Sequence, residues 1–269
     1  MNLAERFGNE APLIGMVHLL PLPGAPRYDG SREAISERAR ADAEALREGG
    51  VDALLVENFG DAPFYPEAVP AHVVADMTAV ARDLAVDVDC PLGINVLRND
   101  ARAALSVAAA AGGSFVRVNV HAGARVSDQG LLEGRAHETL RLRERLDADV
   151  AILADVAVKH SAPAAEREIG AVVADLVERG LADGLVVSGQ ATGHAVAGEH
   201  LDAVLSARED VAPDLPVFVG SGVTPGNVAD LLDRADGAIV GSSLKQGGEA
   251  TEPVDADRVR ALVAPARER

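Results

Sequence analysis

Asp155, Lys159 and His160 fall in one short stretch, "VAILADVAVKH", where an apolar run gives way to polar residues. A carboxylate, an amine and an imidazole this close can exchange protons. The amine can also form a Schiff base or neutralise a phosphate. Asp155 is open to three roles: a buried acid orienting a neighbouring His or Lys, a general base, or a metal ligand. Chemically able residues end other apolar runs too: His18 in "LIGMVHL", Glu57 and Asn58 in "DALLVEN", Asn95 in "PLGINVL", and Ser188 in "DGLVVSG". Arg117, Asn119 and His121 follow one another in "SFVRVNVH". Asp155, Lys159, His160, His121 and Glu57 are therefore the candidates for acid, base or covalent roles. His18, Asn58, Asn95, Arg117, Asn119, Ser188 and Lys245 are candidate substrate ligands, with Asn95 and Asn119 suited to sugar hydroxyls. A divalent ion would fall to His18, Glu57, His121 and Asp155, although no H-x-H or H-E-x-x-H spacing supports one. No cofactor is expected, and the metal question is left open.

Two further runs end in small residues. "VFVGSGVTPGNV" carries Gly220, Ser221 and Gly222, and "GAIVGSSLK" carries Gly241, Ser242 and Ser243. A dinucleotide fingerprint would need G-x-G-x-x-G after a first strand, and here Pro225 interrupts the pattern. The alternatives are plain turns or a phosphate cradle, in which glycine admits backbone N–H groups close to an anion and serine adds hydroxyl donors.

The elements that would position these residues recur regularly. Eight apolar runs, at 13–19, 52–58, 91–97, 114–120, 150–156, 183–189, 216–222 and 236–242, are continuous rather than alternating, as in strands buried on both faces. Helical spacing fills the gaps. The segment 31–50 has Ser31 as N-cap and Gly49-Gly50 as its stop, and 224–235 has Thr224 as N-cap with Pro225 in the first helical position. Further helices are expected over 130–146 and 163–180. Eight βα units in 269 residues predict an α/β fold, a single (β/α)8 barrel, over a doubly wound open sheet. Residues 1–11 read as a short polar lead and 264–269 as a frayed tail. In such a barrel the residues above gather on one rim, and the two small-residue loops follow the seventh and eighth strands, where phosphate is commonly held.

Composition narrows the partners. The net charge is −17, which disfavours nucleic acid and anionic lipid surfaces. Hydrophobic residues make up 48%, enough for a sizeable core. The start lacks a signal-peptide pattern and no run is long enough to span a bilayer, so a cytoplasmic protein without membrane insertion is expected. Cys90 reads as a small buried residue rather than a nucleophile. Only two of the 25 basic residues, Lys159 and Lys245, are lysine. Acidity with scarce lysine suggests a halophilic source; a GC-rich genome accounts for the scarcity equally well. Barrels of this size often self-associate, so a homo-oligomer stands beside a small phosphorylated substrate among the expected partners.

The motifs "GMVHLLPLPGAP", "ENFGDAPF", "GINVLRNDARAAL", "FVRVNVHAGARVSDQGLLEGRA", "ADVAVKH", "VGSGVTPGNV" and "IVGSSLK" together resemble the BtpA/SgcQ family over about residues 12–260. The resemblance implies a (β/α)8 barrel of poorly defined biochemistry. The family takes its name from a cyanobacterial factor needed for photosystem I accumulation, and other members, found in sugar-metabolism gene contexts, are treated as barrel enzymes. The expected function is acid–base or Schiff-base chemistry (isomerisation, aldol cleavage or another lyase reaction, or glycosidic cleavage) on a small phosphorylated sugar or nucleoside-derived phosphate. The alternatives are a non-catalytic assembly factor and a phosphate-ligand sensor.

Overall fold

A computed structural model describes residues 1–158, 160–189 and 198–269. Eight parallel strands close into a barrel: β1 (Leu13–His18), β2 (Ala53–Glu57), β3 (Leu92–Asn95), β4 (Phe115–Val118), β7 (Ala151–Asp155), β9 (Gly184–Val187), β10 (Val217–Val219) and β11 (Gly237–Val240). Each follows its predecessor around the barrel, and the seam joins β11 to β1 with Leu13 beside Ala238. The eight continuous apolar runs are these strands, each shorter than the run that announced it. Every residue of all eight is buried, which is why the runs do not alternate.

Two apolar layers result. Between strands and helices lies a large cluster that includes Leu13, Val17, Leu54 and Val56. Inside the barrel lies a smaller one containing Ile14, Met16, Ala53, Leu55, Phe115, Ala151, Leu153, Val186, Phe218 and Ile239. Successive strand side chains point to opposite faces. Continuing the inward parity by two residues names the next interior layer: His18, Glu57, Arg117, Asp155, Ser188, Gly220 and Gly241. Apolar filling thus passes into polar residues at the strands' C-terminal ends.

Helices α2 (Arg32–Gly49), α3 (Ala71–Asp87), α4 (Ala101–Ala111), α5 (Ala136–Arg145), α6 (Ile169–Ala174), α7 (Gly198–Val211), α8 (Val228–Leu232) and α9 (Ala256–Arg267) surround the barrel. Ser31 caps α2 as expected, its hydroxyl accepting from the Ala34 N–H at 3.0 Å, and Gly50 ends it in the left-handed region. Thr224 does not cap α8. Asn227 accepts the Thr224 N–H (2.7 Å) and donates to the Gly222 carbonyl (3.0 Å), so 224–227 is a side-chain-tied turn and the helix starts at Val228.

Other expectations need correction. Residues 130–146 are not helical throughout. Ala124–Ser127 (β5) and Gly130–Glu133 (β6) form an antiparallel hairpin, extended by Ser161–Pro163 (β8) into a three-stranded sheet beside the barrel. Likewise the helix expected from 163 begins only at Ile169. The polar lead contains a helix, α1 (Leu3–Phe7), whose Phe7 enters the interior cluster against the rings of Phe115 and Phe218, 5.3 and 6.1 Å away. The tail expected to fray is helical as far as Arg267, which pairs with Asp52 at 2.6 Å. Among the described residues, no helix is long and apolar enough to cross a membrane.

Candidate functional site

The strand register sets the site's first row. His18 lies beside Glu57, and Glu57 beside Asn95, at matching levels on β1, β2 and β3. The His18 Nδ1 lies 2.8 Å from the Ala250 carbonyl. A carbonyl can only accept, so Nδ1 carries the hydrogen and Nε2 is the atom left for chemistry. That Nε2 is 3.8 Å from Glu57 Oε1, and the imidazole stacks on Phe59 with centroids 4.6 Å apart. His18 and Glu57 are 8% and 6% exposed, so the pair sits deep in the mouth.

Beside this row stands a buried polar strap. Arg117 on β4 donates to Asp155 on β7 through Nε (3.1 Å) and Nη2 (2.9 Å), and Nη2 also reaches Ser188 Oγ (3.1 Å). Asn119 donates to Asp155 Oδ2 at 2.8 Å. Burial opposes the Arg117 charge, but the Asp155 carboxylate and its hydrogen bonds outweigh that and raise its pKa further. Asp155 is therefore fully engaged as a partner of Arg117 and lines neither cavity of the mouth described below, unlike Glu57. Asn95 donates to the Arg117 carbonyl (2.8 Å), and its Oδ1 is buried with no partner among the described residues.

The two glycine loops meet this centre. A cavity of 230 Å³ is walled by Gly220–Thr224 and Gly241–Ser243 together with His18, Glu57 and Arg117. Gly222 has φ 70°, which favours glycine. A Cβ on Gly220 would lie 2.6 Å from Ser188 Oγ, and one on Gly241 would lie 3.3 Å from the His18 ring, so both loops approach the polar layer by backbone. Ser221 Oγ accepts the Gly189 N–H at 2.6 Å. Ser243 gives its hydroxyl to the Val223 carbonyl and contributes only its remaining surface to the wall. A second cavity, of 390 Å³, shares His18, Glu57 and Arg117 and extends over β1–β3, where Phe59, Phe64 and Arg98 line it with His160 at the rim.

Several expected site residues stand elsewhere. His121 follows the end of β4, and its Nε2 contacts the Gly180 carbonyl at 2.7 Å, ahead of β9. Lys245 is wholly buried, 3.0 Å from Asp42 of α2, and holds the loop after β11 to the helix layer. Asn58 spends its amide on Asp61 and on both backbone groups of Leu97, which fixes the loops after β2 and β3. The quartet His18, Glu57, His121 and Asp155 is not gathered, and no cluster of three or more metal-ligating side chains exists among the described residues. Lys159 lies outside the described residues. Cys90 is a protonated thiol, pushed up to about 11 chiefly by burial. Phe59 and Arg27 at the mouth were missed. Phe59 had a signal, standing two residues after Glu57 and so on the inward parity.

Comparison with known proteins fits this geometry. The BtpA family profile matches residues 9–268. The photosystem I biogenesis protein BtpA of Synechocystis is 48% identical, with 98% of this chain and 90% of that protein covered. A Pyrococcus furiosus protein is 46% identical over 95% of this chain and 94% of its own. Among solved structures, Mycobacterium tuberculosis tryptophan synthase aligns with TM-score 0.59 at 21% identity, over 96% of this chain and 92% of that one. The Thermus thermophilus phosphoribosyl anthranilate isomerase aligns with TM-score 0.57 at 13% identity, over 96% and 98%. At these identities the structures share the barrel alone.

Proposed function

The chain belongs to the BtpA family, and from the geometry of its site we propose a barrel enzyme that moves protons on a small phosphorylated sugar or nucleoside-derived phosphate. The observation that carries the reading is the His18–Glu57 pair, 3.8 Å apart, at the junction of the two cavities, with the glycine loops on one side of it. A phosphate in the Gly220–Gly222 and Gly241–Ser242 loops brings the neighbouring carbons over the pair. Glu57 takes a proton from carbon beside a carbonyl, and Nε2–H of protonated His18 gives one to the carbonyl oxygen, forming an enediol that the reverse transfers at the neighbouring carbon and oxygen convert to the isomer. Asn119, which lines the cavity over β1–β3, meets a sugar hydroxyl, while Asp155 keeps Arg117 in place. A Schiff base at Lys159 is the covalent version, trapped by borohydride. The solved neighbours, an isomerase and a synthase, share the barrel, a fold that hosts many unrelated reactions. The charge of −17 supports a partner other than nucleic acid.

The test is exchange in deuterated water. Phosphorylated aldoses and ketoses are incubated with the protein, and loss of the carbon-bound proton next to the carbonyl is followed by NMR. Exchange that disappears in both His18→Gln and Glu57→Gln is expected. If no phosphorylated sugar exchanges or turns over, the enzyme reading is wrong. The second reading, an assembly factor without turnover, then stands. It is favoured by the name of the Synechocystis relative and by Val126 and Leu131, an exposed apolar pair across the hairpin.

A further inference from the structure

Among the described residues, the cavity over β1–β3 is lined by more positive than negative side chains, the reverse of the chain as a whole. The protein carries −17, yet among the described residues the charged side chains lining this cavity are Arg27, Arg98 and Arg117 against Glu57. Arg117 is neutralised by Asp155. Arg98 is only 4% exposed. Burial lowers its pKa, with Glu57 and then Asp155 acting the other way. Arg27 is exposed on the loop after β1 and forms no ion pair among the described residues. A low-dielectric cleft lined by one sign of charge concentrates ligands of the other sign.

The loops carrying these arginines are fixed before any ligand arrives. The Arg98 N–H donates to the Tyr65 carbonyl at 3.1 Å, and Asn58 holds Leu97 next to it. Asp61 accepts the Leu22 N–H at 2.8 Å, and the Gly60 N–H donates to the Leu19 carbonyl at 3.1 Å. The same cavity has an apolar share of wall that includes Leu19, Leu20, Pro21, Phe59 and Phe64. Guanidinium forks beside apolar surface suit a carboxylate or phosphate on a carbon body.

We infer that Arg27 and Arg98 form a second anion subsite, so that the ligand carries an anionic group at each end with the His18–Glu57 pair between them. The inference rests on the phosphate reading of the glycine loops and adds the substrate class: a phosphorylated molecule bearing a carboxylate or a second phosphate at its far end. His18, Glu57 and Arg117 line both cavities, so the pair stands where the cradle and the arginine-lined cavity adjoin.

Calorimetric titration at fixed ionic strength tests it with three probes: fructose 6-phosphate, fructose 1,6-bisphosphate and 6-phosphogluconate. The two doubly anionic probes are expected to bind about tenfold tighter than fructose 6-phosphate, the worth of one charged hydrogen-bonded contact. Arg27→Gln and Arg98→Gln should each bring that ratio towards one. Arg27 is exposed, so its variant remains informative even if Arg98→Gln fails to fold. Equal affinity of all three probes for the unmodified protein overturns the second subsite and leaves the cradle standing. Absence of binding by any probe overturns the cradle and the subsite together. A tenfold ratio that survives both substitutions overturns the assignment to these arginines.

Discussion

Asn119 and His121 are two residues apart and end in different surroundings. Asn119 donates to Asp155 in the mouth, whereas His121 meets the Gly180 carbonyl and is 1% exposed. Its Nδ1 is buried with no partner among the described residues, as a neutral Nε2–H tautomer allows. Burial pushes the His121 pKa below its ordinary 6.5; the Gly180 hydrogen bond and Asp183 raise it, and Arg143 adds to the lowering. The unfolded chain therefore binds this proton at a higher pH than the folded one. The stability is fully present above pH 6.5 and is lost as pH falls from there towards the folded value. Urea titrations between pH 7 and 5 should show falling stability, by up to about 1.4 kcal/mol per pH unit for each such histidine. His200, lowered by burial and then by Arg125, is only half-buried and adds a smaller contribution of the same sign, since solvent screens it. His121→Gln should remove its share, and an unchanged slope in that variant would assign the effect elsewhere.

Between elements, the Arg117–Asp155 strap joins β4 to β7, and neither partner has water to fall back on. Asp155→Asn leaves the buried guanidinium without its counter-charge, so a loss of about 3–5 kcal/mol is expected by urea denaturation. A variant within about 1 kcal/mol of the parent would show that the strap is not what holds these strands, and would return Asp155 to the list of proton-transfer groups. Most of this layer was legible in the sequence because period-two alternation continues one step past an apolar interior: Met16 to His18, Leu55 to Glu57, Leu153 to Asp155. The same rule was blind one step further on. His121, Asn58 and Lys245 stand outside their strands, where direction is set by the Gly180 carbonyl, the Leu97 backbone and Asp42 rather than by the pleat. The hairpin over 124–133 was missed because four-residue strands carry too little pattern to compete with a helical spacing that starts soon after them.

For the whole molecule, the charge of −17 is spread over an exterior on which isolated ion pairs are worth little. Self-repulsion of that charge weakens the compact state, and salt relieves it as the screening length shrinks from about 10 Å at 0.1 M to about 3 Å at 1 M. The melting temperature should therefore rise over that range of potassium chloride, as the halophilic reading requires. A flat or falling melting temperature would remove that reading. The barrel's seam and its floor set a further condition, on the order of assembly. Leu13 meets Ala238 across the seam only once β11 is in place, and Phe7 needs Phe115 and Phe218 to rest on. During synthesis the amino terminus leaves the ribosome first, yet its seat is not made until the seventh of the eight barrel strands has been translated. The first residues to be born are thus among the last to find their places, and until then the barrel is open at its base as well as along its side.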